Sequence, residues 1–310
     1  MLLSLLFACG VGNQNQELSA SSSVAKSFVG RQTESENSSD NPVQEPLETE
    51  PISSEEVLLC DGGYVSLEGM RMMQSLADAQ SDDDMYDTYS RIVGVAELFE
   101  DCHDSWGLFP TIYKHITAKG IEAIEDGAFE DPVWAEALIV DFAARYFDSL
   151  NAVLTRSEAS WAWERYYELA DRSDVSQTRS VMMAMSAHLV LDLPKSLVAV
   201  GTTEDHKDDF ILFGDAVIEV SDDLIADLKR HYNTDAEDIL NGFFLGDWVD
   251  GAFGSDTMIT LSFQTIRTKA WNNRWYMQTG MGWVADAEIY TSFWTIDAVL
   301  RTLDGAGIID

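Results

Sequence analysis

The stretch VMMAMSAHLVLDLPKSL, residues 181 to 197, sets an imidazole and a carboxylate four residues apart in an otherwise apolar run. On a helix turning about 100° per residue, His188 and Asp192 lie roughly 40° apart and share one face. Lys195 and Ser196 fall beside them, while Met182, Met183, Val190, Leu191, Leu193 and Leu197 fill the rest of the circumference. A helix apolar over most of its girth belongs in a core. Its polar stripe must therefore meet water, satisfy itself through internal hydrogen bonds, or line a site. A buried carboxylate needs a partner. In sequence the nearest ones for Asp192 are His188 and Lys195. Pro194 lacks a backbone donor and frees the carbonyl of Val190, which predicts a local irregularity at this point of the helix.

Two kinds of chemistry suit such a pair. One is a divalent-metal site, because His188 and Asp192 offer a nitrogen and an oxygen ligand on one face. Zinc needs at least a third protein ligand. Asp141, His115, His206 and Asp209 are the candidates, each in or beside an apolar helical segment. A metal there would acidify a bound water and, with a nearby carboxylate as base, give a metal-dependent hydrolase. Three of the four also have a plainer reading: Asp141 sits one turn before Arg145, an ordinary ion-pair spacing, and His206 and Asp209 open a helix where a hydrated cap is expected. The other chemistry is non-catalytic. Here the chain is a ligand- or partner-binding protein whose cleft is lined by the Trp-rich C-terminal region, and the His188–Asp192 pair is structural. Trp271, Trp275, Tyr276, Trp283 and Trp294 are spaced either for a binding platform or for a core.

Other reaction signatures are missing. No G-x-S-x-G, P-loop, G-x-G-x-x-G or C-x-x-C occurs, and Asp247, Asp250 and Asp256 do not have the spacing of a calcium-binding EF-hand loop. The formal net charge is −35, from 54 acidic against 19 basic residues. Such a surface repels phosphate backbones, so no nucleic-acid partner is expected.

The elements that must position these residues are read from apolar periodicity near 3.6. Asp84 is placed to cap a helix through MYDTYSRIVGVAELFE. Pro110 stands early and Gly127 just past the end of LFPTIYKHITAKGIEAIED. Asp131-Pro132 opens a helix of more than 20 residues, with Ser157 or Ser160 capping the next. The His188 helix runs from about Gln177 to Val200 and stops at Gly201. One or two helices follow through DDFILFGDAVIEVSDDLIADLKRHY, with Ser221 as a cap, and YTSFWTIDAVLRTLD closes the chain. The expected fold is mainly α, a single multi-helix domain over 58–310, with a small antiparallel β element near residues 255–290 as the alternative for that stretch.

The front of the chain reads differently. MLLSLLFACG is too short an apolar run to span a bilayer and resembles a bacterial lipoprotein signal, with Ala8 before the cleavage point and Cys9 as the acylated residue. Residues 10–57 are rich in Ser, Glu, Gln, Asn and Pro, the composition of a disordered tether. The expectation is a lipid-anchored protein of the cell envelope, held to the membrane through Cys9, with a small ligand or an envelope partner. Apart from Cys9 the chain has two cysteines, Cys60 and Cys102, which an oxidising compartment would allow to pair.

SAHLVLDLPKSL, together with FPTIYKHIT, DPVWAEALIVDFAARYF and TIRTKAW, resembles an uncharacterised bacterial helical family, a domain of unknown function, over roughly residues 100 to 275. Its members carry an N-A-H-I-x-x-D-L-P signature. Ser186 stands here in place of the asparagine. The resemblance implies a helical fold and centres attention on His188, Asp192 and Pro194, and it implies no activity.

Overall fold

A computed structural model of the chain describes residues 59–234, 236–245 and 262–309. They belong to one compact unit that extends over 52–310. Helices account for nearly all of its regular structure, and among the described residues there is no strand beyond one isolated bridge, Cys60 with Val65.

The first helices start where capping chemistry places them. Ser66 caps α1 (Leu67–Ala77) by accepting from the Gly69 N–H, and Asp84 and Asp87 form a reciprocal capping box on α2 (Met85–Cys102). A short 3₁₀ turn, Ser105–Gly107, leads into α3 (Leu108–Glu125), and Asp131 caps α4 (Pro132–Leu154) through the Trp134 N–H. Then come α5 (Trp161–Ala170) and α6 (Gln177–Ser186). Six residues of π-helix, Ala187–Asp192, join α6 to α7 (Leu193–Ala199). The acidic region after Gly201 forms two helices, α8 (Lys207–Glu219) and α9 (Ser221–Tyr232), with Val220 rather than Ser221 in the cap position.

Phe243 and Phe244 lie on α10 (Glu237–Leu245). The β alternative for 255–290 fails over its described part. Residues there form α11 (Phe263–Gln278) and the start of α12 (Gly282–Gly305). Phe263, Ile266, Ala270 and Trp271 are buried at helical spacing, and that period overrides the β-branched residues mixed among them.

The continuous helix Gln177–Ala199 is long and apolar enough to cross a bilayer, but 89% of its apolar window is buried within the fold. It is a core helix. α5, α11, α12 and α4 pack around it, and α3 with α8 closes the side that carries His188. Cys60 and Cys102 are joined by a disulfide, Cα to Cα 5.2 Å, which ties the segment before α1 to the end of α2.

Candidate functional site

Pro194 is where the helix geometry changes. Its missing N–H cannot bond to Val190, and one residue earlier the Leu193 N–H reaches past its usual acceptor to the carbonyl of His188, an i→i−5 bond. The kink expected from the proline is therefore a π-helical turn, and both His188 and Asp192 lie inside it. Neither meets water: His188 is 3% exposed and Asp192 5%.

The His188 ring is held by aromatic groups on three sides. Its face stacks on Phe142 of α4 with centroids 3.4 Å apart, and it meets Tyr113, Phe109 and Trp163 edge-on. Nδ1 lies 3.3 Å from Oδ2 of Asp192. The same carboxylate oxygen accepts a hydrogen bond from Nε1–H of Trp163 at 2.8 Å. Lys195, the cation nearest in sequence, makes no ion pair with Asp192. Burial lowers the His188 pKa below its ordinary value; the hydrogen bond and charge of Asp192 oppose the shift, and the Arg145 charge adds to it. The ring is thus held neutral, with its proton on Nδ1 toward the carboxylate. Nε2 is left as a bare acceptor, and it is buried without a hydrogen-bond partner.

His188 lines a cavity of ≈ 90 Å³ between α3, α4, α8, α11 and the π turn. Its wall is almost wholly apolar, with Phe109, Tyr113, Phe142, Phe213 and Leu193 among its residues. Besides His188, the nitrogen-bearing side chain in the wall is Arg267 of α11.

The family description DUF5995, a family of unknown function, matches residues 86–290 of this chain. The chain belongs to the DUF5995 family. No curated protein and no solved structure matches it. The matched span holds every residue that lines the DUF5995 chain's cavity, from Phe109 to Arg267, and also Trp163 and Asp192.

The remaining metal-ligand candidates do not converge on the DUF5995 pair. Asp141 pairs with Arg145 at 2.9 Å, and the Arg145 Nε also donates to Ser196 at 2.7 Å. His115 Nε2 meets Asp227 at 2.6 Å on α9. His206 lies 3.3 Å from Asp131 and stacks on Trp134. Asp209 accepts from the backbone N–H groups of Glu130 and Asp131, both at 2.8 Å, and so fixes the start of α4. Among the described residues no three His, Cys, Asp or Glu side chains are grouped to hold a metal ion. The physical reason is partner competition, since each candidate is already engaged by a nearer cation, carboxylate or pair of amides.

Trp271 is a core residue stacked under Arg274 and Lys207, whereas Trp275, Trp283 and Trp294 reach the surface. Tyr290 and Trp294 border an open apolar groove along α12, with Trp161 of α5 against them. The Trp-rich set itself does not line the cavity, whose aromatic wall comes from α3, α4 and α8, with Phe263 of α11. Trp163 is the contributor that sequence reasoning missed. The available signal was a tryptophan on the apolar face of an amphipathic helix, whose indole N–H has to find an acceptor on burial. Cys9, Asp247, Asp250 and Asp256 lie outside the described residues.

Proposed function

We propose that the domain is a ligand-binding module that takes a small, largely apolar molecule into the His188 cavity, and that the chain carries it outside the cytoplasm on a lipid anchor at Cys9. One observation carries the binding reading: the unpartnered, buried Nε2 of His188 in an apolar wall. Buried polar atoms are ordinarily paired, and an unmet acceptor costs the fold about 1–3 kcal/mol. A ligand that donates one hydrogen bond to Nε2 and fills the aromatic space recovers that cost. The space accommodates on the order of six to eight water-sized groups, the bulk of a ring or a medium alkyl chain. A π-turn at this point also fits, because such turns occur frequently at functional sites.

The anchoring reading draws on Cys9 at the end of the N-terminal apolar run, on the polar composition of 10–57, and on the paired Cys60 and Cys102, which suit an oxidising compartment. Metal-assisted hydrolysis at His188 and Asp192 is the weaker alternative, because the pair lacks a third ligand among the described residues.

The binding test is a calorimetric titration of the full chain with 1-octanol and, separately, benzyl alcohol, two small neutral probes that each carry one hydroxyl donor. Saturable binding is expected, lost in Val217→Trp, which places an indole in the cavity. His188→Phe keeps the ring and removes the acceptor, and should weaken 1-octanol roughly three- to tenfold. A wild-type chain with no saturable site for either probe would end the reading. Anchoring is checked by labelled palmitate incorporation in a bacterial host, expected for the wild type and absent in Cys9→Ser.

A further inference from the structure

Arg267 is 4% exposed, and burial pulls its pKa down to about 10, still far above neutrality. It therefore carries its charge inside the fold. Among the described residues three arginines are buried, Arg179, Arg267 and Arg274. Arg179 pairs with Asp297 and Asp304, and Arg274 with Glu204. Among the described residues Arg267 has no ion-pair carboxylate. Its hydrogen bonds go to neutral acceptors, the Gln264 side chain and the Phe210 carbonyl. Asp215 acts on it electrostatically but stands outside ion-pair distance.

Its position is a constructed one. The guanidinium lies over the rings of Phe210 and Phe263, 4.2 and 5.2 Å from their centroids. Gly214 faces it, and any Cβ at that position would collide with the guanidinium. The glycine thus leaves the space that the arginine head occupies. A buried cation on a cavity wall, with no carboxylate paired to it among the described residues, is a charge site open to an anionic ligand.

We propose that the ligand of the His188 cavity is an apolar hydroxy acid, whose anionic end is held by Arg267, whose hydroxyl donates to Nε2 of His188 and whose apolar body lies against Phe142 and Phe213. This inference rests on the binding reading above and adds the charge of the ligand to it. An anion here meets a planar donor fork in a low-dielectric wall, where charge-assisted hydrogen bonds are strongest.

The test is calorimetric titration of the full chain with octanoate and, separately, 1-octanol, which share an eight-carbon chain and differ in charge. Octanoate is expected to bind about ten- to hundredfold more tightly than 1-octanol. Arg267→Gln should remove that advantage while leaving 1-octanol affinity within about threefold, and Arg267→Lys should keep part of it. Wild-type protein that binds 1-octanol as tightly as octanoate overturns the anion inference and leaves the cavity reading standing. Protein that binds neither overturns both. The wild-type comparison holds the inference open to refutation even where Arg267→Gln does not fold. If Arg267→Gln folds and binds octanoate as the wild type does, the assignment to Arg267 is overturned.

Discussion

The indole N–H of Trp163 and the carboxylate of Asp192 form a buried hydrogen bond of 2.8 Å, and His188 leans on the same oxygen from 3.3 Å. The tryptophan, not the histidine, is the shorter contact and orients the carboxylate; the carboxylate in turn fixes which imidazole nitrogen faces the proton. Trp163→Phe keeps most of the packing volume and leaves Asp192 with one donor fewer. The expected loss is about 1–3 kcal/mol in denaturant unfolding, comparable to Asp192→Asn. The double variant should lose less than the sum of the two, because both break one linkage. Strict additivity would show that the pair is not coupled.

The neutral imidazole makes stability depend on pH. The folded-state pKa of His188 is depressed by burial, so below the unfolded value of about 6.5 the unfolded chain binds the proton that the folded chain refuses. The contribution is present above that pH and is lost progressively as pH falls from it toward the folded-state value. Unfolding free energies measured from pH 8 down to pH 5 should decline over this window, and His188→Gln should flatten the decline. Equal slopes in the two proteins would assign the dependence to other groups.

Gly214 and Arg267 give a steric prediction. Gly214→Ala sets a methyl group where the guanidinium lies, so the arginine has to leave its place over Phe210 and Phe263. Overpacking of this kind costs about 1–3 kcal/mol, offset in part by the better helix propensity of alanine in α8. A thermal melt reads the cost. An unchanged or raised melting temperature would mean that the arginine has an equally good second position.

Much of the helical frame was legible because its signals are local. Asp84, Asp131 with Pro132, Gly127 and Gly201 mark helix ends through their own backbone preferences, and those ends stand where the sequence puts them. The apolar girth around His188 likewise announced a core helix. What escaped depends on partners distant in sequence. Asp192 takes its shortest bond from a residue 29 positions earlier, and Arg267 reaches the Phe210 carbonyl 57 positions earlier. No spacing rule foretells such pairings. The same limit explains the metal candidates: Asp141 with Arg145 is an i,i+4 pair visible in the sequence, whereas His115 with Asp227 spans 112 positions and is not.

The bridge between Cys60 and Cys102 closes a loop of 42 residues that contains all of α1 and nearly all of α2. In the chain-entropy account, such a closure removes about 4 kcal/mol of freedom from the unfolded chain. The residues before α1 are also tied by the Val65 N–H to Asp104 and the Ser66 N–H to the carbonyl of Leu59. Reduction should therefore act in two ways: a lowered global stability of at most about 4 kcal/mol, and a selective loosening of 59–66 and α1 against α2 and α4. Hydrogen exchange with and without reductant separates them. Faster exchange confined to the front of the domain, with α6 and α7 unchanged, is the expected pattern. Uniform acceleration across the core would mean that the bridge supports the whole fold and that no separable front segment exists.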